Sequence, residues 1–235
     1  MQIVALLTGR GNNSLKDKNV LPVLGKPIMT YPAQAARDSK YINKFYVSSE
    51  NRKILSLGAL MGYEKIVRTK DLARSTSLHY DVIIHAINEL KKRSIYPDIL
   101  VVLLANSATI KTTWIDDCIE VLLKDQSATA AVPVVLDLDR HPIRAKRINS
   151  GGYLSSFFPE KATHVSTNRQ ALEPSYFLCH NFWTIRVRSG ILENKGQGPW
   201  SFMGKRPVPY IVEQSFDVHS NEDLKLTTEW LRKNL

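Results

Sequence analysis

The feature that most constrains the fold is the opening of the chain, an apolar strand that runs directly into a loop of glycines and cations. Apolar residues fill positions 3–7, the tripeptide Gly9-Arg10-Gly11 follows after one threonine, and two lysines lie in the next seven residues. A strand that ends in this way presents backbone N–H groups and positive side chains at one point. The sequence therefore predicts an anion-binding loop at residues 8–19.

Strand-like and helix-like stretches alternate after this opening, which predicts an α/β fold. The predicted strands are short apolar or β-branched runs at 3–7, 44–48, 65–67, 99–104 and 129–135. The predicted helices have apolar residues at helical spacing and lie at 28–39, 51–61, 78–91 and 112–124. This order requires right-handed crossovers and gives a Rossmann-like, doubly wound, mainly parallel sheet. Ligands bind outside the carboxyl ends of such strands, where the predicted loops are 8–19, 48–51, 68–77 and 105–111.

The alternation stops after position 135. Residues 136–170 are rich in charge and contain the turn Gly151-Gly152, so we interpret them as a small excursion subdomain that forms a substrate wall and a dimer contact. Two more strands and a closing helix are predicted at 176–187, 209–212 and 221–234. The chain 1–235 is expected to be one domain, since this length suffices for a single α/β core.

Composition limits the class of protein. The net charge of +10 fits either nucleic-acid binding or an enzyme that handles polyanionic substrates. The cations are spread along the chain without helix-turn-helix, RNP-type or zinc-finger spacing, so nucleic acid is not expected as the main ligand. No apolar run approaches the ~20 residues that span a bilayer, and the N-terminus lacks signal-peptide features. With only Cys118 and Cys179 present and no CxxC spacing, we expect reduced thiols and a cytoplasmic location.

The opening loop does not match the common nucleotide-binding patterns. The phosphate-loop pattern GxxxxGK[ST] is absent, and Ser14 occupies the third glycine position of GxGxxG. No acidic residue ends the second strand at the spacing that a dinucleotide ribose requires. A P-loop NTPase and a dehydrogenase are therefore disfavoured. The opening loop still carries one arginine and two lysines, whose positive charges suit a triphosphate.

Ordered segments over most of the chain resemble the acylneuraminate cytidylyltransferase family, whose members make CMP-activated sialic acids and related sugar acids. The segments that carry the resemblance are Leu6-Leu7-Thr8-Gly9-Arg10-Gly11 with Lys18-Asn19 and Leu24-Gly25-Lys26-Pro27, then 45–49, 67–73, 103–111, His141-Pro142, Asn168-Arg169-Gln170, and Ser215-Phe216-Asp217-Val218-His219. The resemblance implies transfer of CMP from CTP to a sialic-acid-like sugar acid, with release of pyrophosphate, by a homodimer.

The resemblance also implies roles for individual residues. The catalytic pair is Arg10 and Lys18, which would hold phosphates. The nucleotide-binding set is Leu7, Thr8, Gly9, Arg10, Asn19 and Ser75. The sugar-binding set is Ala105, Arg144, Arg169 and Trp183, and the metal ligands for Mg²⁺, or alternatively Mn²⁺, are Asp217 and His219.

Structural explanations stand beside these roles. Arg10 would also suit a solvated loop, Asp217 competes with Ser220 to cap the last helix, Arg169 would also fit a surface ion pair, and Trp183 would also fit the core.

The chain departs from the family pattern within the proposed site. Ser14 stands where the family has a phosphate-binding lysine, Ser75 replaces an aspartate, and Ala105 replaces a glutamine. His219 occupies the position of the second metal-binding aspartate, and neutral imidazole is a poor ligand for Mg²⁺. Two alternatives therefore stay open: a related nucleotidyltransferase with a different sugar or nucleotide, and a catalytically silent nucleotide-binding homologue.

Overall fold

The computed structural model describes residues 1–11, 15–158 and 166–235. Its strands, β1 to β12 in chain order, are Ile3–Thr8, Pro22–Val23, Lys26–Pro27, Lys44–Ser49, Glu64–Val67, Ile99–Leu104, Ala130–Leu136, Lys146–Ile148, Leu154–Ser156, Tyr176–Leu178, Phe182–Arg186 and Pro207–Ile211. Its helices, α1 to α5, are Thr30–Arg37, Arg52–Leu60, His79–Lys92, Thr112–Lys124 and Asn221–Asn234. Ser14, named above, lies outside the described residues.

The main sheet is mixed, with a parallel half and an antiparallel insertion. Strands β5, β4, β1 and β6 are neighbours in that order, and each pair is parallel. Strand β11 then runs antiparallel to both β6 and β7, while β12 is parallel to β7. The predicted doubly wound, mainly parallel α/β fold is confirmed. The antiparallel course of β11 was not foreseen, because an apolar run has the same pattern in either direction.

The sheet is covered on both faces, which explains why β6 and residues 3–7 of β1 are apolar throughout. In β1, the side chains of Ile3, Ala5 and Leu7 pack with α1, α2 and α4 on one face. The intervening Val4 and Leu6 pack with α3 on the other face. Successive side chains of a strand point to opposite faces, so a strand buried on both sides needs apolar residues at every position.

The predicted strand 176–187 is interrupted at residues 179–181. Asn181 holds the interruption: its side chain donates to the Thr109 carbonyl at 3.1 Å and accepts from the Phe182 N–H at 2.8 Å. Its carbonyl accepts from the Leu104 N–H at 3.0 Å, beside the end of β6. The break therefore brings His180 to the carboxyl end of the parallel strands, instead of leaving it in a regular ladder.

The excursion leaves the main sheet as a ribbon. Strands β8 and β9 pair only with each other, antiparallel, in a separate two-stranded sheet. Several of its apolar side chains are largely exposed, including Ile148 and Leu154. Residues 159–165 of the predicted excursion lie outside the described residues. Its role as a substrate wall and dimer contact stays a prediction.

The described helices are too short or too polar to cross a bilayer. Cys118 and Cys179 are buried free thiols, as expected.

Candidate active site

A cavity of about 860 Å³ opens at the carboxyl ends of β1 and β6. Three of the predicted loops contribute to it, the opening loop and the segments 68–77 and 105–111, together with the start of α3 and the segment before α5. The lining residues are Thr8, Gly9, Arg10, Lys18, Asn19, Arg68, Leu72, Arg74, Ser75, Ser77, His79, Val82, Leu104, Asn106, His180, Asp217 and His219.

Thr8, the last residue of β1, sets the tautomer of His79. The Thr8 hydroxyl donates to the carbonyl of Leu103 at 3.1 Å, and His79 Nε2 lies 3.1 Å from the same hydroxyl. The Thr8 hydroxyl has one proton and donates it to Leu103. The proton in the hydrogen bond between Thr8 and His79 is therefore assigned to His79 Nε2. Burial, with Arg68 and His180 nearby, lowers the pKa of His79 to about 4. His79 is therefore a neutral hydrogen-bonding group at pH 7.

Gly9 allows the backbone to pass close to its neighbours. A Cβ at this position would lie 3.0 Å from the Cβ of Ala105 and 3.3 Å from Asn19 Nδ2. The backbone N–H of Gly9 also donates to the Ser48 carbonyl at 3.3 Å. The chain thus leaves β1 against small side chains, and a larger residue at position 9 would displace the loop that follows.

Arg10 is held at both its backbone and its side chain. Asn19 Nδ2 donates to the Arg10 carbonyl at 2.8 Å, and Arg10 Nη1 donates to the Arg74 carbonyl at 2.9 Å. The guanidinium therefore connects the opening loop to segment 68–77 across the cavity. Asn19 was predicted to place the nucleotide; in this structure its side-chain amide fixes the backbone beside Arg10.

Arg68 is a buried cation at the base of the cavity. Its Nη2 donates to the Ser48 carbonyl at 3.0 Å and to the Gly9 carbonyl, and lies 3.7 Å from Glu50 Oε2. Glu50 Oε1 in turn accepts from the Gly11 N–H at 2.5 Å. Burial lowers the pKa of Arg68 to about 10, so the side chain stays charged at pH 7. One guanidinium thus holds the ends of β1 and β4 together.

Lys18 and Asp217 meet through His219. The Lys18 Nζ lies 3.2 Å from His219 Nδ1, and His219 Nε2 lies 2.6 Å from Asp217 Oδ2. Lys18 has only donor hydrogens, so Nδ1 accepts and we assign the ring proton to Nε2, which donates to Asp217. Burial lowers the pKa of Lys18, while Asp217 opposes that shift. The imidazole bridges a cation and an anion at the cavity wall.

Asp217 does not cap the last helix. Ser220 is the N-cap of α5, and it forms a capping box with Asp223: the Ser220 hydroxyl accepts from the Asp223 N–H, and the Asp223 carboxylate accepts from the Ser220 N–H at 2.8 Å. The capping role considered for Asp217 is therefore wrong. Its carboxylate lines the cavity instead.

The sequence matches a family profile described as cytidylyltransferase over residues 10–149, more than half of the chain. The chain belongs to the cytidylyltransferase family.

Relatives at low identity agree with this membership. The CMP-N,N'-diacetyllegionaminic acid synthase of Legionella pneumophila is 24% identical, over 100% of this chain and 98% of that protein. A Helicobacter pylori protein, named as a pseudaminic acid cytidylyltransferase and a UDP-sugar hydrolase, is 26% identical over 75% of this chain. This chain covers 33% of the Helicobacter protein's length, so the match concerns one part of it.

Solved structures share the fold. A CMP:2-keto-3-deoxy-manno-octonic acid synthetase, solved in complex with CTP, superposes with a TM-score of 0.73 at 14% identity and covers 100% of both chains. A 4-diphosphocytidyl-2C-methyl-D-erythritol synthase superposes with a TM-score of 0.64 at 12% identity. At these identities the likeness shows the architecture alone.

Within this family fold, part of the predicted site is buried below the cavity. Leu7 and Ala105 are fully buried and Trp183 is 1% exposed, and none of the three lines the cavity. The Trp183 indole donates to the Cys179 carbonyl at 3.0 Å and packs against His79 with 5.2 Å between ring centroids. Ala105 and Trp183 support the cavity floor from inside the core in this structure, and their contact with a sugar stays a prediction.

The two predicted sugar-binding arginines also lie outside the cavity lining. Arg169 Nη1 forms hydrogen bonds to both carboxylate oxygens of Asp139, at 2.9 and 3.0 Å, and Arg144 Nη1 lies 3.9 Å from the same carboxylate. Both side chains are about half exposed. In this protomer they form the surface ion pair that was the alternative explanation for Arg169.

A Mg²⁺ ion fits one of the two predicted ligands. The described residues contain no group of three or more His, Cys, Asp or Glu side chains arranged to hold a metal ion. Magnesium sites in nucleotide enzymes often use one or two carboxylates together with substrate phosphates, and Asp217 suits that use. His219 does not, because both of its ring nitrogens are engaged and imidazole is a soft ligand for this ion.

Sequence reasoning missed several residues that line the cavity. Arg68, Arg74 and Ser77 lie in the loop at 68–77, which was placed at a strand end without assigning them roles. His79 and His180 also line the cavity, and neither was assigned a role from the sequence. These two histidines are far apart in the sequence, so their meeting at one cavity could not be predicted from spacing. The rule that ligands bind outside the carboxyl ends of parallel strands was the one indication of a site here.

Proposed function

We propose that this chain is a CTP-dependent cytidylyltransferase that transfers CMP to a sialic-acid-like sugar acid and releases pyrophosphate. The observation that carries the proposal is the convergence of Arg10, Lys18, Arg68 and Arg74 on one cavity, facing Asp217, in a chain of the cytidylyltransferase family. A relative that matches the whole chain is named as a CMP-N,N'-diacetyllegionaminic acid synthase.

The cations suit the charge changes of nucleotidyl transfer. A hydroxyl oxygen of the acceptor bonds to the α-phosphorus of CTP, the bond from that phosphorus to the β-phosphate oxygen breaks, and negative charge grows on the departing pyrophosphate. Arg10 and Lys18 would neutralise this charge, and a guanidinium does so with two parallel hydrogen bonds. Because Arg10 is already held by Asn19 and Arg74, little reorganisation is needed when the triphosphate binds.

Asp217 would hold a Mg²⁺ ion together with phosphate oxygens of the nucleotide. Such an ion, when bound, neutralises charge on the phosphoryl group and on the leaving group. His219 would orient the Asp217 carboxylate through the bond from Nε2. Mn²⁺ would serve as an alternative, since carboxylate and phosphate oxygens suit both ions.

We also propose a homodimer formed by the excursion. Ile148, Tyr153 and Leu154 are 73 to 75% exposed on the β8–β9 ribbon, which is an unusually apolar surface for a two-stranded projection. A second copy of the ribbon would cover this surface. In such a dimer, Arg144 and Arg169 of one chain would approach the substrate bound in the cavity of the other chain. Light scattering of the intact protein tests this: Leu154→Asp should shift the mass from two chains to one.

Pyrophosphate release tests the proposed activity. We expect release with CTP, and much less with UTP, ATP or GTP, when an N-acylneuraminate, N,N'-diacetyllegionaminic acid or pseudaminic acid is the acceptor. Arg10→Ala should lower kcat/KM by about 100-fold, the size expected for losing one donor that stabilises developing charge. Arg140→Ala is the matched control, because its side chain is 85% exposed and outside the cavity.

Two results would contradict the proposal. An unchanged rate in Arg10→Ala would remove the opening loop from the phosphate site. CTP binding measured by calorimetry, without pyrophosphate release from any acceptor, would favour the silent homologue. Two further expectations stay predictions: a cytoplasmic location, and nucleic acid not being the main ligand.

A further inference from the structure

His180 differs from the two other histidines that line the cavity. His79 is tied to Thr8, and His219 bridges Lys18 and Asp217. The His180 imidazole makes no hydrogen bond to any residue in the described part of the chain. Its two nitrogens are not fully buried. Its polar edge therefore faces the cavity with hydrogen-bonding capacity to spare.

The ring is nevertheless held in place. It lies edge-on to Trp183, with ring centroids 5.8 Å apart, and tilted against Trp200 at 5.4 Å. The neighbouring backbone is fixed by the hydrogen bonds of the Asn181 side chain, in the break between β10 and β11. Interruptions of this kind re-aim a side chain next to functional sites. His180 is thus a rigid, unpartnered imidazole placed at the carboxyl end of the sheet.

Burial favours the neutral form of this imidazole, which shares the cavity with Asp217. Burial lowers the pKa of His180, with Asp217 raising it and His219 lowering it to smaller extents. A neutral imidazole whose polar edge faces the cavity is able to receive a proton from an acceptor bound there.

We propose that His180 accepts the proton of the attacking acceptor hydroxyl. The inference rests on the proposed function. In the step, the acceptor oxygen bonds to the α-phosphorus, its proton moves to an imidazole nitrogen of His180, and the bond to the β-phosphate oxygen breaks with its electron pair leaving on pyrophosphate. The protonated ring then returns the proton to solvent after the products leave.

The other groups at the cavity already have partners that oppose this role. His79 donates from Nε2 to Thr8, and burial lowers its pKa to about 4, so its Nδ1 is a weak base at pH 7. His219 receives a hydrogen bond from Lys18 at the nitrogen that would have to accept a proton. Lys18 itself carries a positive charge suited to phosphate. Of the cavity histidines, His180 is therefore the one that can take a proton without breaking a hydrogen bond to the described residues.

Three variants of the full chain test the inference. His180→Gln should lower kcat by about 100-fold, the usual range for a general base, while the Kd for CTP measured by calorimetry stays within about twofold. His180→Phe keeps the aromatic contacts with Trp183 and Trp200, and should show the same loss. His180→Ala should be rescued by added imidazole, a result that a purely structural role would not give.

The control is His85→Gln, which changes a half-buried histidine of α3 that lies outside the cavity. It should keep its rate and show no response to imidazole. The acceptor is whichever of the three sugar acids gives the fastest release, or water in slow CTP hydrolysis if none does.

The outcomes separate the two proposals. A His180→Gln enzyme that keeps more than about a third of kcat overturns the inference alone, as does a loss in His180→Ala that imidazole leaves unchanged. If the unaltered chain releases no pyrophosphate from CTP, whether or not it binds CTP, the proposed function falls and the inference falls with it.

Discussion

Arg68 and Arg169 are both arginines beside a carboxylate, yet they lie in opposite environments. The Arg68 side chain is 4% exposed, bonded to two backbone carbonyls and 3.7 Å from Glu50. The Arg169 side chain is 56% exposed and pairs with Asp139 on the excursion. One arginine joins two strand ends under the cavity, and the other stands on a surface outside it.

The difference bears on which part of the site is preorganised. A buried charge is costly unless hydrogen bonds and a counter-charge compensate it, so its geometry is tightly specified. An exposed ion pair contributes little and rearranges easily. Among the described residues, the cations that line the cavity are therefore held by contacts within one chain. The two arginines predicted to bind the sugar lie outside that lining.

The largest expected effect is on the buried side of this comparison. Arg68→Leu removes the hydrogen bonds to Gly9 and Ser48 and leaves Glu50 without its counter-charge. We expect the free energy of unfolding to fall by about 3 kcal/mol, because removing one partner of a buried pair strands the other. Urea denaturation at pH 7 measures this change, and the Kd for CTP should rise in parallel.

Two comparisons make the result interpretable. Arg68→Lys keeps the charge but loses the planar fork, so it should fall between the unaltered protein and Arg68→Leu. Arg140→Leu, at a side chain that is 85% exposed, should change stability by less than about 0.5 kcal/mol. Equal losses at Arg68 and Arg140 would mean that burial does not distinguish these arginines.

The sequence predicted the fold better than the site, for a physical reason. The β1 and β6 strands are buried on both faces, so every residue except Thr8 is apolar and the pattern is unambiguous. The direction of β11 depends on the route of the connection before it, which leaves no trace in its five residues. The break at 179–181 depends on Asn181 meeting Thr109, a contact between distant parts of the chain.

The site was predictable where it follows from chain topology and not where it depends on side-chain direction. The strand-end rule placed Arg10, Lys18 and Ser75 in loops that do line the cavity. The family resemblance placed Ala105 and Trp183 at the sugar. Because neighbouring residues of a strand point to opposite faces, a shift of one residue is enough to turn a side chain from the cavity into the core. Residue identity alone does not show which way such a side chain points.

A smaller effect is expected from pH, through His79 on the buried side. Its pKa is lowered to about 4, whereas an unfolded histidine titrates near 6.5. Below 6.5 the unfolded chain binds a proton that the folded chain does not, so stability present above 6.5 is lost as the pH falls toward 4. Between pH 7.5 and 5 the loss from this group should be about 2 kcal/mol.

His79→Gln isolates that contribution. Glutamine retains an N–H for Thr8 but does not titrate, so the variant's unfolding free energy should depend on pH less steeply, by about 2 kcal/mol over the same interval. His85→Gln is the matched control, because it makes the same change at a half-buried histidine of the same helix outside the cavity. A parallel pH dependence in His79→Gln and the unaltered protein would show that His79 is protonated in the fold as easily as outside it.

The smallest effect on stability is expected at the exposed arginine. Arg169→Ala breaks an ion pair with Asp139 whose two side chains are 56% and 68% exposed, and such pairs contribute about 0.5 kcal/mol or less. The unfolding free energy and the Kd for CTP should therefore stay close to those of the unaltered protein. If Arg169 binds the carboxylate of the sugar acid, KM for that acceptor alone should rise, by about tenfold, because a charge-assisted bidentate contact is lost. Initial rates at saturating CTP measure it, and Arg144→Ala tests the neighbouring arginine in the same way. A rise in the Kd for CTP would instead place Arg169 on the nucleotide side and remove the contrast with Arg68.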